Sequence, residues 1–373
     1  MSIANAAAAP AMLPPPRRPS PAGDPPMSEP SRSDLFVSLT PDRVLAAVEA
    51  AGLATNPVCY PLNSFENRVY EVELVDRSRI VAKFYRPGRW SEEQILEEHA
   101  YLLDLEAEEV AVCPVRRFPD GSTLKRQDGT FYSLAERRGG RAPDELDDAA
   151  AERLGMLAGR LHAVGARRDA PHRLRLTADA FIRDALSWLE EHGSVPARVW
   201  PRYSAAANEV ADRLDALSEG VETHRIHGDL HLGNLLMRDG VLQVLDFDDM
   251  VVGPAVQDLW LALPGRDAHT RRQRERYLEG YERFRLFDRS TLRLIEPLRA
   301  LRMIHFSTWL ARRWHDPIFP ATWPQFGDED YWDRETADLE EQLRTIRRGG
   351  EPEAADEEEA ELTNADFFWD WEG

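Results

Sequence analysis

Two different spacings of apolar positions divide this chain. Between about residues 57 and 136 they fall in short runs of strand character, Val81-Ala82-Lys83-Phe84 and Phe131-Tyr132-Ser133-Leu134-Ala135-Glu136 among them. One helix interrupts these runs. Ser91 is its expected N-cap, Gln94 takes the capping-box position, and Ile95, Glu98, Leu102 and Leu105 share a face. An earlier helix is predicted from Thr40 as cap and Pro41 in the first turn, with Val44, Leu45 and Val48 as its stripe and Gly52 as its stop. From residue 144 the spacing turns helical. Leu154, Leu157, Ala158 and Leu161 lead to Gly165, and Gly155 and Gly159, four apart, allow a close helix crossing. Further amphipathic helices are expected near 177–192, 200–218, 255–263, 267–285, 289–315 and 328–346. The pattern predicts an α+β protein with a β-rich N-lobe over 34–138 and a mainly helical C-lobe over 139–346.

Composition adds bounds. Residues 1–33 hold nine prolines and few large apolar side chains, and residues 347–373 are acidic with an aromatic end, so both are read as disordered tails. Phe367-Phe368-Trp369-Asp370-Trp371 is unusually aromatic for such a tail. A net charge of −20 argues against nonspecific nucleic-acid binding. Two cysteines, Cys59 and Cys113, in no metal spacing fit a reducing cytoplasm. No apolar run is long enough for a membrane span, and no signal peptide is expected.

The chemistry concentrates in His227-Gly228-Asp229-Leu230-His231-Leu232-Gly233-Asn234 and in Val244-Leu245-Asp246-Phe247-Asp248. Leu235-Leu236-Met237 reads as a strand, Asp239-Gly240 as a tight turn, and Val241 to Leu245 as the returning strand. The hairpin delivers Asp246 beside the loop it left. Asp229 can then orient a hydroxyl and accept its proton, while Asn234 and Asp246 offer oxygens to magnesium on a triphosphate. The competing reading is a polar hairpin that merely carries these residues. His227 is expected to be buried and bonded to nearby backbone, and His231 to face either substrate or solvent.

Together with Leu62-Asn63-Ser64-Phe65-Glu66-Asn67-Arg68-Val69-Tyr70, Val81-Ala82-Lys83-Phe84-Tyr85-Arg86-Pro87, Gln94 to His99, Gly253 to Trp260 and Glu296 to Ala300, these segments resemble the aminoglycoside phosphotransferase and choline kinase group. The resemblance is closer to the bacterial stress response kinase A family of serine/threonine protein kinases. It covers about residues 35 to 346 and implies a protein-kinase-like two-lobe fold with ATP and Mg2+ as cofactors. It makes Lys83 the residue on the α and β phosphates, Glu98 its partner with Glu97 as substitute, and Ser64 an ATP contact in a phosphate loop that lacks the Gly-x-Gly-x-x-Gly pattern. It also implies that Asp258 braces the catalytic loop, although a helix-start aspartate reads almost as well. Gly139-Gly140 suits a hinge between lobes.

The implied function is phosphorylation of Ser/Thr hydroxyls on proteins in a stress response, by a cytoplasmic monomer with no nucleic-acid or membrane partner. The alternative acceptor is a small alcohol such as an aminoglycoside, choline or homoserine, for which Asp248 and Asp249 would suit a cationic group. A nucleotide-binding scaffold is the third reading, opposed by the full set Lys83, Asp229, Asn234 and Asp246. Arg299, Arg302, Arg312 and Arg313 are read as solvated, ion-paired arginines before substrate contacts, and Trp309, Trp314 and Trp323 as packing residues.

Overall fold

The structure is a computed structural model that describes Phe36, residues 39–62 and residues 64–349. The tail read at 1–33, the tail read at 347–373 from residue 350 onward, and Asn63 of the phosphate loop lie outside the described residues, while Arg347 ends the last helix. Helix α1 (Pro41–Ala50) packs on a five-stranded antiparallel sheet of order β1-β2-β3-β5-β4, with strands β1 (Thr55–Leu62), β2 (Arg68–Leu74), β3 (Arg79–Phe84), β4 (Lys125–Gln127) and β5 (Thr130–Glu136). Alternation along β3 decides its role. Ile80, Ala82 and Phe84 enter the core shared with Val44, Val48, Val72 and Leu134, so Lys83 must lie on the other face. Thr40 takes the extended cap conformation of α1, but its side chain makes no capping hydrogen bond. The capping box of α2 (Glu92–Ala107) is complete, with Ser91 and Gln94 bonding reciprocally.

The helical half contains α3 (Asp148–Gly165), α4 (Asp184–Glu191), α5 (Trp200–Ser218), α6 (Val256–Ala262), α7 (Ala268–Tyr281), α8 (Ile295–Arg313), α9 (Ile318–Thr322) and α10 (Glu329–Arg347). Two small antiparallel ladders sit among them: β6 (His224–Ile226) with β9 (Val251–Gly253), and β7 (Leu235–Arg238) with β8 (Val241–Val244). Helices α3 and α7 cross so closely that a Cβ on Gly155 would meet the Tyr277 carbonyl oxygen at 1.9 Å, and one on Gly159 that of Tyr281 at 2.6 Å.

Two helices differ from the sequence expectation. The segment foreseen as one helix over 289–315 is a 3-10 turn, Arg289–Leu294, followed by α8; with Pro297 as the third residue of α8, its missing N–H falls where no intrahelical bond is needed. The helix foreseen at 177–192 opens with a π-turn, Asp179–Arg183, ahead of α4.

Candidate active site

The β7–β8 hairpin forms as its alternation requires. Leu235 pairs with Val244 and Arg238 with Val241, across a turn in which Asp239 and Gly240 have φ of 52° and 79°. Its base is stitched by the Leu245 N–H donating to the Asn234 carbonyl at 2.9 Å. Asp246 therefore emerges beside Asn234. The Asp246 backbone is left-handed, φ 48° and ψ 78°, a conformation aspartate tolerates better than most residues, and its half-exposed side chain accepts from the Asp248 N–H at 3.3 Å.

The loop carrying Asp229 is held from behind. Asp258, fully buried on α6, accepts from the His227 N–H at 2.9 Å and the Gly228 N–H at 2.8 Å, and its Oδ2 lies 2.9 Å from His162 Nε2. The bracing role expected of Asp258 is thus the observed one. Gln257 Nε2 adds a bond to the Gly228 carbonyl at 3.1 Å. Gly228 has φ 85°, and a Cβ there would stand 2.3 Å from the Asp249 carbonyl oxygen, so only glycine lets the two functional loops touch. His227 is buried and backbone-bonded as expected. Its Nδ1 accepts from the Asp229 N–H at 3.2 Å, so Nε2 carries the proton donated to the Leu245 carbonyl at 2.7 Å.

All six site residues foreseen from sequence gather in one region. Ser64, Asp229, Asn234 and Asp246 line a cleft of about 1420 Å3 between the two halves. Lys83 reaches it from β3, with Nζ 3.0 Å from Asp246 Oδ1, 3.1 Å from Asp248 Oδ1 and 3.3 Å from Glu98 Oε1. Glu97 is not the partner of Lys83; its carboxylate accepts from the His172 and Arg173 N–H groups at 3.1 and 2.9 Å. Burial disfavours the Lys83 charge, but Asp246, Asp248 and Glu98 outweigh it and hold the ammonium well above its ordinary pKa. Burial pushes the Glu98 carboxyl up to about 7 against the pull of Lys83.

The donor set fits a divalent cation brought by a polyphosphate. The Asn234 amide nitrogen donates to the Asp229 carbonyl at 2.8 Å, which leaves the amide oxygen for another partner. Asp246 shares one ammonium with two other carboxylates, so its charge is incompletely neutralised. Among the described residues no group of three or more His, Cys, Asp or Glu forms a self-sufficient cage. An ion held by two side-chain oxygens must take its remaining ligands from phosphate and water, as Mg2+ commonly does.

Three arginines join these residues, and of them the sequence marks only Arg302, as a secondary candidate for substrate contact. Arg302 on α8 donates to Asp229 Oδ1 at 2.7 Å. The ion pair expected of Arg302 forms, but with the loop carboxylate inside the cleft and not on a solvated face. Burial raises the Asp229 carboxyl, but Arg302 and then His231 overcome this and hold it well below the usual carboxylate range. Arg89 pairs with both Asp248 and Asp249, which corrects the idea that these two await a cationic acceptor. Buried Arg173 donates to the Met250 carbonyl at 2.7 Å and to the Asp248 carbonyl at 2.5 Å, fixing the segment after Asp246. A signal existed for Arg302: Arg302, His305, Phe306, Trp309, Arg312 and Arg313 share a helical stripe, and all face the cleft. Arg89 and Arg173 lie in loops where no periodicity marks them. The tryptophans pack as expected, Trp309 and Trp323 with rings 5.7 Å apart and Trp314 against Phe326 at 4.7 Å.

Comparison with known proteins decides the family. The model of the phosphotransferase enzyme family matches residues 59–295. The chain belongs to that family. Stress response kinase A of Escherichia coli K12 is 39% identical over 315 residues, 84% of this chain and 95% of that protein. A relative from Salmonella typhimurium LT2 named serine/threonine protein kinase RdoA is 39% identical over 317 residues, 83% of this chain and 94% of its own length. This phosphotransferase therefore falls with the stress response kinase A group, as the sequence resemblance indicated. Among solved structures, amicoumacin kinase hAmiN in complex with AMP-PNP, Ca2+ and Ami aligns with a TM-score of 0.63 at 20% identity over 81% of this chain and 92% of that one. A microcompartment-associated aminopropanol kinase aligns at 0.62 and 20% identity over 82% and 98%. These likenesses confirm the kinase-like fold. The protein is an ATP-dependent phosphotransferase.

Proposed function

We propose that this phosphotransferase transfers the γ-phosphoryl group of MgATP to Ser/Thr hydroxyls of proteins, in a cytoplasmic stress response. The observation that carries the acceptor class is the wall facing Asp229. It is built from Phe181, Trp188, Phe306, Trp309 and the arginines 302, 312 and 313, while Asp248 and Asp249 are already held by Arg89. A small cationic alcohol would find no uncommitted carboxylate pair there, whereas a wide aromatic and arginine-lined groove suits a polypeptide. The name of the Salmonella relative supports the same choice.

In this reading Lys83, kept charged by Asp246, Asp248 and Glu98, holds the α and β phosphates, and Ser64 covers them. Asn234 and Asp246 would hold a divalent cation bound with ATP, which would supply charge neutralisation on the phosphates. Asp229 orients the acceptor hydroxyl and takes its proton as the bond to phosphorus forms. Asp258, His227 and Arg173 act one step back, fixing the backbone on which Asp229 and Asp246 ride. Free Cys59 and Cys113 accord with a reducing compartment, and no described helix is long and apolar enough to cross a membrane.

Incubation of the purified enzyme with labelled ATP and cell lysate, followed by a phosphosite survey, tests the acceptor class. Label on protein Ser or Thr, absent with Asp229→Ala, is the expected result. Label found only on small alcohols would replace this reading with the alternative.

A further inference from the structure

The turn proposed to cover the phosphates contains no glycine, and its Glu66 is bonded from the opposite half of the molecule. Glu66 in that turn accepts from Arg313 Nε at 3.1 Å, from Arg313 Nη2 at 2.7 Å and from Trp309 Nε1 at 2.6 Å, both donors standing on α8. From its own side Arg86 Nε lies 3.3 Å from the Glu66 carboxylate and donates to the Glu66 carbonyl at 2.9 Å, while Arg86 Nη2 donates to the Phe65 carbonyl at 3.0 Å. The Phe65 ring packs 5.1 Å from that of Trp323. A second bridge runs parallel, with Arg68 and Arg86 both donating to buried Asp316 at 3.1 and 3.0 Å. Burial works against the Glu66 charge, but Arg89, Arg313 and Arg86 overcome it and hold the carboxyl below its ordinary pKa.

A glycine-rich phosphate loop is free to fold down on its nucleotide. Here the same turn is docked through charge-assisted bonds to α8, the helix whose stripe forms the acceptor wall. We infer that Glu66 is a positioning residue that sets the phosphate-covering turn against α8, so that Trp309 and Arg313, on the acceptor side of the cleft, tune the affinity for ATP. By linkage, occupancy of the acceptor groove and of the nucleotide site then influence each other through Glu66. The inference rests on the phosphotransferase assignment and not on whether the acceptor is a protein.

The test uses the full chain, without acceptor for the binding titrations and with water as the acceptor in ATP hydrolysis for turnover. Affinity for a non-hydrolysable ATP analogue with Mg2+ is titrated for wild type, Glu66→Gln, Arg313→Met, the double variant and Trp309→Phe, alongside KM and kcat for ATP turnover and the melting midpoint. Glu66→Gln is expected to weaken the analogue about tenfold, appearing in KM more than in kcat, and Trp309→Phe about threefold. The double variant should be no weaker than Glu66→Gln alone. Should Glu66→Gln fail to fold, Trp309→Phe carries the test, since it keeps the ring and removes one donor. Analogue affinity within twofold of wild type in the folded variants, with only the melting midpoint lowered, would make Glu66 merely structural and overturn the inference. Additive losses at Glu66 and Arg313 would overturn it as well.

Discussion

The proposed catalytic floor and the proposed acceptor wall of this phosphotransferase are built on opposite plans. The floor comes from one short stretch, residues 224–253, in which two functional loops are joined by a hairpin and stitched backbone to backbone. The wall comes from α8 and from α4 with the π-turn that opens it, distant in sequence, and the arginines of α8 are held by carboxylates on three other elements: Arg302 by Asp229, Arg312 by Asp184 and Arg313 by Glu66. The contrast follows from what each part must do. A metal ion and a proton acceptor need fixed geometry at the scale of one hydrogen bond, which short covalent connections supply. An acceptor groove needs shape and charge over many ångströms, which only packing of remote elements can provide.

The sharpest break of the comparison is on the floor. Asp229→Ala and Asp246→Ala should each lower transfer by about a thousandfold while circular dichroism and the melting midpoint show an intact fold. Near wild-type rates in both variants would remove the floor from the chemistry. Next comes the brace. Asp258→Ala strips two backbone N–H groups and His162 of a buried acceptor, and should cost about 3 kcal/mol in denaturant unfolding together with a loss of activity. A variant as stable as wild type would show that the floor does not depend on α6.

Arg302 is where wall and floor meet. Arg302→Met should let the Asp229 carboxyl rise, so the acid limb of the pH–rate profile moves to higher pH and kcat falls about tenfold near that limb. An unmoved limb would mean that the wall does not tune the floor. The smallest expected effect concerns Glu98. Its carboxyl is raised in the folded protein to about 7 from an ordinary 4.5. Its contribution to stability is therefore full below about pH 4.5 and is lost as pH rises through about 7. Urea midpoints of the nucleotide-free protein across that window should decline with pH in wild type, and less so in Glu98→Gln.

Much of this could be read before any coordinates. The strand alternation that aims Lys83 out of the N-terminal core, the capping box that starts α2, the hairpin turn at Asp239-Gly240 and the glycines at the α3–α7 crossing are all local or periodic signals. The π-turn before α4, the 3-10 start before α8 and the missing side-chain bond at the Thr40 cap were not legible, because apolar periodicity does not distinguish helix types and a cap residue type does not fix its side-chain rotamer.

The sequence by itself determined which residues could do the chemistry. Asp229, Asn234 and Asp246 are close neighbours along the chain, and their spacing survives in any arrangement that forms the hairpin. Only the tertiary structure decided which charges meet. Arg302 on Asp229, Arg89 between Asp248 and Asp249, and Arg313 on Glu66 bridge separations of 73, 160 and 247 residues. Coulomb attraction depends on distance in space and on local burial, and neither is written in the order of residues along the chain.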